Sequence, residues 1–412
     1  MEAQDAELAD WLPAKAASRL AELPGRAAFC ARVEELTEAT TADSAFSLAG
    51  DRVFFQRQAA GAPVPVLMAA EGQATRVLLD PAALDLTVPA GREHSHLDWF
   101  VPSPDGRYVA CGISQGGSES STLRVLDADS GQLLPDAIPG TTLGAVSWLR
   151  LPEGDALLYH RYLDPPPGAP ADERRRDSRA CLHRLGAKTG DDLVVLARGV
   201  NPLVPLTPVD RPLVFAPGGS DWLLALISHS ALSRSFDEEL SACTPYVAPR
   251  AALADPAMCP WRRVAGPDDG VTAYAVHGDD LYLVSHRDAP RSRVLAVSMA
   301  APELGARVVL PGSERAVAAV KVVGDHLLVH ERDGGLTRLR TVPLSGGEPR
   351  DVTLPTAGFL GEWTAHPARP EVFFTLSSLD PRSPAVPVRR GDCHRYRLAA
   401  AVDGRLHRHR GI

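Results

Sequence analysis

The sequence predicts an all-β fold, a seven-bladed β-propeller preceded by a short helical N-terminal segment, on three observations. A strand–turn–strand unit recurs seven times, a second hairpin follows most of these units, and the units are spaced as propeller blades are. The openings fall near residues 44, 99, 147, 213, 273, 320 and 363, a period of about 45 to 65 residues, which fits one four-stranded blade plus variable loops. A pair of irregular β-sandwiches would also show frequent turns, but would have no reason to repeat a two-hairpin unit at that period.

Residues 1–41 precede the repeats. Trp11, Leu12, Ala16, Leu20 and Leu23, then Phe29, Val33 and Leu36, recur at helical spacing and are interrupted by Pro24-Gly25, which predicts two short amphipathic helices. Their apolar face calls for a cover, either the outer wall of a blade or another polypeptide. Residues 42–412 form the predicted propeller.

Turn chemistry marks each opening hairpin. Ala49-Gly50-Asp51, Pro104-Asp105-Gly106, Pro152-Glu153-Gly154, Pro217-Gly218-Gly219 and Gly278-Asp279-Asp280 supply either a preset φ or ready access to positive φ. The runs beside them, such as RYVACGIS at 107–114 and EVFFTLSS at 371–378, are short and rich in β-branched and aromatic residues. Second hairpins occupy 122–136, 292–311, 336–355 and 394–410, completing four-stranded sheets. Two stretches interrupt the pattern. Residues 164–177, DPPPGAPADERRRD, cannot extend a ladder and should project between the two hairpins of the third blade. Residues 233–260 obscure the outer strands of the fourth.

Composition narrows the function classes. The 412 residues are 45% hydrophobic and 23% charged, with 36 prolines and 34 glycines, a globular and loop-rich balance with ample material for a core. The formal net charge is −8 and no basic stripe interleaves with aromatics, so no nucleic-acid partner is expected. The one basic run, Arg174, Arg175 and Arg176, stands beside Asp172, Glu173 and Asp177. It reads as a solvated loop with local ion pairs, and as the loop candidate for ligand binding. The six cysteines are scattered without a CxxC pair, and the N-terminus carries neither a basic nor an apolar leader, which predicts reduced thiols and a cytoplasmic setting. No apolar run approaches the roughly 18 to 20 residues that would cross a bilayer, so no membrane contact is expected.

The residues of the second unit, WFVPSPDGRYVACGIS at 99–114 continuing through SSTLRVLDADSGQLLPD at 120–136, with AVSWL at 145–149 and LYHRY at 158–162, resemble the propeller of the prolyl oligopeptidase family. The segments LPGRAAFCARVEEL at 23–36, LHRLGAKTGDDLVV at 182–195 and VFFTLSSLDPRSPAVPVRRGDCHRYRL at 372–398 are similar to that family's N-terminal helical segment, third-blade outer hairpin and last blade. The resemblance runs from about residue 8 to about residue 400 and is most specific over the second blade. It implies a lid that sits over an α/β-hydrolase domain and restricts access of peptides to a Ser-Asp-His triad cleaving after proline. All three triad residues belong to the hydrolase domain. The expectation is therefore that this chain, which ends at Ile412 just after the last predicted hairpin, carries no catalytic residue of the family. The short N-terminal segment departs from the family by lacking most of the stretch that would wrap the hydrolase.

Other motifs read as structural. Gly112-Ile113-Ser114-Gln115-Gly116 fits the G-x-S-x-G pattern of a nucleophile elbow. That motif needs a strand, a strained turn and a helix, whereas residues 117–131 read as a loop and another strand. His94 with His96, and His326 with His330, could each share a strand face, yet neither pair has further ligands at metal-site spacing. The His407/His409 tail reads as a polar edge or a fraying end. No metal and no cofactor is expected. Three functions are open: a non-catalytic peptide-binding or gating module for a peptide or an α/β-hydrolase-type partner, a propeller whose own central channel holds an active site, or a remnant of a serine-type prolyl endopeptidase that self-associates through its hydrolase-facing end. The seam between the first and last blades, with no swapped strand, is expected to be held by side-chain packing alone.

Overall fold

The computed structural model describes residues 23–38, 41–84, 94–141, 144–163, 173, 175–229, 243–354, 356–366, 368–377, 393–398 and 406–408. Its strands form seven four-stranded antiparallel sheets, each built from four strands consecutive in sequence. The sheets occupy residues 42–79, 95–141, 146–196, 211–263, 271–310, 316–352 and 359–408, numbered here as blades 1 to 7. In the first six, side chains are described on all four strands; in the seventh, the two outer strands, Cys393–Leu398 and Leu406–Arg408, are described by their backbone. The molecule is thus a mainly-β propeller, and the hairpin periodicity translates directly into its blades.

The first strand of each blade lies innermost. These strands, Ala42–Ala49, Ser95–Pro102, Val146–Leu151, Arg211–Phe215, Val271–His277, Ala316–Val323 and Phe359–Ala365, have a sheet partner on one side only. Most approach the first strand of the next blade. Five of the seven carry a register shift near their start, at Ser44/Ser47, Leu97/Trp99, Val271/Ala273, Val317/Ala319 and Leu360/Trp363, where an extra residue sharpens the local twist.

Among the described residues the core divides into seven hydrophobic clusters, one between each pair of neighbouring blades. A blade is therefore covered on both faces, which is why its central strands read as continuous apolar runs. Phe54 and Phe55 show the consequence. Successive side chains point to opposite faces of a strand, so Phe54 enters the cluster shared with blade 2 and Phe55 the cluster shared with blade 7. Phe373 and Phe374 do the same toward blades 1 and 6.

The N-terminal helices are described in part, and the expectation for the seam needs correction. One α-helix, Arg26–Glu38, is described before the first blade; the other predicted helix, with Trp11 and Leu20, lies outside the described residues. Leu23, Phe29 and Val33 are exposed, Phe29 at 70%, so no blade wall covers these three, and another polypeptide remains the expected cover. The seam between blades 7 and 1 is also more than packing. Phe46 meets Phe373 at 4.5 Å, but Arg369 pairs with Asp51 at 2.7 Å, His366 Nε2 lies 2.9 Å from the Gly50 carbonyl, and Glu362 accepts from the Phe46 amide at 3.2 Å. Among the described strands none is exchanged across it.

Candidate functional site: the channel mouth

The innermost strands end, at their C-terminal side, in the hairpin turns identified by their Pro, Gly and Asp content, and residues at or before most of these turns, with the first residues of the blade 3 strand, surround a cavity of about 760 Å³. All seven blades contribute to its lining: Leu48 and Ala49, Val101 and Pro102, Trp148, Phe215 and Pro217, Tyr274 and Val276, Val322 and Gly324, and Ala368. The volume lies in the range of ligand sites, and an apolar lining with few polar groups is their usual character. Among the described residues the lining includes no Asp, Glu, Lys or Arg side chain.

Hydrogen bonds between successive blades, from their turns and adjoining strand ends, hold this end of the toroid. From blade 1 to blade 2, the Gly50 amide donates to the Pro104 carbonyl at 3.0 Å and Arg52 to the Gly106 carbonyl at 3.1 Å. The two turns meet so closely that a Cβ on Gly50 would collide with the Asp105 carbonyl oxygen. With φ near +56° at Gly50 and +73° at Gly106, glycine is required at both for backbone as well as steric reasons. Onward, Trp148 Nε1 donates to the Val101 carbonyl at 2.9 Å, the Ala216 amide donates to Ser147 Oγ at 2.9 Å, and Ser220 Oγ donates to the Gly278 carbonyl at 2.7 Å. Trp222 Nε1 donates to Asp279 at 2.8 Å. Blades 5 and 6 join through Tyr282, Val284, Val317 and Val320, Gly324 packs against Pro370, and the seam contacts return the belt to blade 1.

The starts of the inner strands are chemically opposite, being occupied by charged and polar constellations. Arg57 donates to both Asp43 oxygens at 2.7 Å. Asp98 accepts from Ser114 Oγ at 2.8 Å and Ser121 Oγ at 2.6 Å; burial raises its pKa above the usual carboxylate value, more than the two hydroxyls lower it. In blade 4 a carboxylate–imidazole–hydroxyl chain forms, with His229 Nδ1 at 2.8 Å from Asp210 and Nε2 at 2.9 Å from Thr244 Oγ1. Asp210 and Thr244 are each only 5% exposed, so the hydroxyl serves as a buried partner of the ring. Nearby Arg211 reaches Tyr162 and Ser228 at 3.1 and 3.2 Å, and His160 is held neutral, burial pushing its pKa down to about 3 with the Arg211 charge adding to the effect. In blade 6, Glu331 is fully buried and faces Arg315 and Arg340 at 3.4 and 3.5 Å.

Away from the channel, His183 joins blades 2 and 3. Its Nε2 lies 2.8 Å from Asp136 and its Nδ1 2.7 Å from Asp192. Tyr159 donates to the other Asp192 oxygen at 2.7 Å, and the Gly186 amide to Asp136 at 2.7 Å. A ring flanked by carboxylates on both nitrogens must donate twice, and only the imidazolium can. Burial works against that charge, but the two acids outweigh it and raise the His183 pKa to about 9.

The residues singled out by sequence fall apart in space. Ser114 is a buried residue of the strand Tyr108–Gln115, which runs through a turn into another strand, Ser121–Asp127, and its hydroxyl is committed to Asp98. Arg175 and Arg176 are exposed in the loop before the third strand of blade 3, and Arg174 lies outside the described residues. His326 is bonded to the adjacent Asp325 at 2.6 Å and His330 to Thr337 at 3.3 Å. Among the described residues no three His, Cys, Asp or Glu side chains gather as a metal site would require. The turn motifs alone signal the channel mouth in sequence; the polar constellations have no local signal.

The profile of the family described as "Prolyl oligopeptidase, N-terminal beta-propeller domain" matches residues 2–384. A prolyl endopeptidase of Elizabethkingia meningoseptica is 23% identical over 275 residues, covering 63% of this chain and 34% of that protein. An uncharacterized peptidase of Sinorhizobium fredii is 26% identical over 302 residues, covering 71% and 36%. Among solved structures, a chain from a mechanistic study of two prolyl endopeptidases superposes over 98% of this chain and 53% of its own, with a TM-score of 0.69 and 22% identity. Prolyl oligopeptidase B of Galerina marginata, bound to a 35mer hydrolysis and macrocyclization substrate, gives a TM-score of 0.72 at 17% identity, over 98% and 55%. The chain spans about a third of the length of these curated relatives and about half of these solved ones.

Proposed function

Because the chain belongs to the prolyl oligopeptidase N-terminal β-propeller family, we propose that it is a non-catalytic peptide-binding and gating module that controls access of peptides to an α/β-hydrolase-type peptidase partner. The observation that carries this reading is the channel mouth, an apolar cavity to which every blade contributes and whose rim is tied from blade 1 to blade 5 by hydrogen bonds between neighbouring blades. A rim built in this way suits a fixed aperture, which selects by size and chemistry rather than by closing around its guest. A relative that binds a long peptide substrate shares the fold, which supports a peptide as the ligand. Among the described residues the titratable side chains of the lining are Tyr274 and His277, with no carboxylate, and Tyr274 donates to the Cys243 carbonyl at 3.4 Å, so a channel-centred enzyme is the weaker reading. Buried free thiols at Cys111, Cys181 and Cys259 fit a cytoplasmic setting.

The test has two arms. Fluorescence anisotropy of a labelled, proline-containing heptapeptide should show saturable binding to the purified chain. The same chain should release no fluorophore from a proline-containing fluorogenic peptide. Robust turnover abolished by a serine-directed fluorophosphonate would overturn the non-catalytic reading.

A further inference from the structure

The mouth is not only apolar but uncharged, and this separates it from the rest of the molecule. Lysine, arginine, aspartate and glutamate make up 23% of the chain, yet among the described residues none of their side chains lines the cavity contributed by all seven blades. Charges on the same turns are engaged outside the cavity: Arg369 with Asp51 at 2.7 Å, Arg52 with Glu71 at 3.2 Å and with Asp129 at 2.5 Å, Asp105 with Ser103 Oγ at 2.6 Å and Asp279 with Trp222 Nε1 at 2.8 Å; none of these side chains lines it. The opposite ends of the inner strands carry Asp43, Asp98, Arg211 and Arg315 on or beside them, with Glu331 against Arg315 at 3.4 Å.

A second feature concerns the backbone. Each innermost strand is bonded to a sheet on one side only, so its other edge carries amide and carbonyl groups that the sheet does not use, which is what an extended peptide recognises. Such edges bind main chain whatever the side chains are; the lining then decides which side chains are admitted. A charged group moved from water to an apolar site without a partner of opposite sign incurs a large desolvation penalty, which the open, partly wet mouth reduces but does not remove.

Resting on the peptide-binding reading above, we propose that the mouth is a charge filter: it admits extended peptide segments with uncharged side chains and rejects segments of either charge. The lining complements neither sign, and so specifies an uncharged occupant. Gly218 provides the means to test this, because it lines the mouth, a Cβ built on it meets nothing within 4 Å, and its φ lies outside the left-handed region. A side chain can therefore be placed there without disturbing the turn.

Three labelled heptapeptides identical except for a central Gln, Asp or Lys would be titrated against the wild-type chain, Gly218→Asp and Gly218→Lys. The wild type should bind the Gln peptide about tenfold more tightly than either charged one, a difference of about 1.4 kcal/mol. Gly218→Asp should shift the Lys-to-Asp preference by about tenfold toward Lys, and Gly218→Lys by a similar factor toward Asp. Equal affinity of the wild type for all three peptides would overturn the filter while leaving peptide binding intact. Unchanged preferences in both variants would place the peptide elsewhere and overturn it as well. Failure of every peptide to bind would overturn the peptide-binding reading and the filter together.

Discussion

Individual buried charges in this molecule act as interblade fasteners. His183 is the clearest, an imidazolium between the Asp136 and Asp192 carboxylates at 2.8 and 2.7 Å. Replacing it with Ala leaves two carboxylates buried without their cation, a change that costs about 3–5 kcal/mol where a buried pair is broken; urea denaturation at pH 7 measures it. The pH dependence has a definite sign. A folded pKa raised from the ordinary 6.5 to about 9 contributes stability that is fully present below pH 6.5 and lost as the pH rises through about 9. The gap between wild type and His183→Ala should therefore narrow on titration from pH 7 to 10. On the acid side, the Asp136 pKa is lowered, with burial opposing and the His183 and Gly186 bonds prevailing, so its contribution is present above the ordinary carboxylate value and fades below it. His160 behaves in the opposite way to His183. Held neutral by burial, with a pKa near 3, it favours the fold above pH 6.5 and opposes it increasingly as the pH falls toward 3. None of these roles is legible in sequence, because the partners lie 47 positions apart for His183 and Asp136 and nothing local marks either residue.

At the scale of the blade, sequence and structure agree closely where the signal is local. The composition of Pro104-Asp105-Gly106 predicts a turn, and in the fold Ser103 Oγ and the Arg107 amide both bond Asp105 at 2.6 and 3.1 Å while Gly106 adopts positive φ. The seam between blades 7 and 1 is where sequence reasoning falls short. It predicts packing, and Phe373 supplies it, 1% exposed and against Phe46. The hydrogen bonds of His366 and Arg369 to the turn at Gly50 and Asp51 join residues more than 300 positions apart, a relation no periodicity encodes. Phe373→Ala should cost about 3–5 kcal/mol, as truncation of a buried aromatic does, and should speed amide exchange in Ala42–Ala49 and Glu371–Ser377 together. Arg369→Ala, removing a partly exposed pair, should cost about 1 kcal/mol or less. Both are measurable by chemical denaturation with exchange mass spectrometry.

Across the whole molecule, order should track the belt. Turns that hydrogen-bond their neighbours around the channel mouth should exchange near the global unfolding limit. The helix Arg26–Glu38, whose Phe29 and Val33 are exposed, should exchange much faster through local opening. Equal protection of the helix and the inner strands would mean that the helix is covered in solution. Sequence by itself determined the hairpin repeat, its turns, the apolar runs of the central strands and the family resemblance, because strand periodicity and turn conformation are properties of a few adjacent residues. Tertiary structure alone decided which ends of the inner strands are apolar and which charged, which histidines are charged or neutral, and how the ring closes. Those depend on groups brought together from distant blades, where desolvation and opposing charge at about 3 Å outweigh anything encoded in the neighbouring sequence.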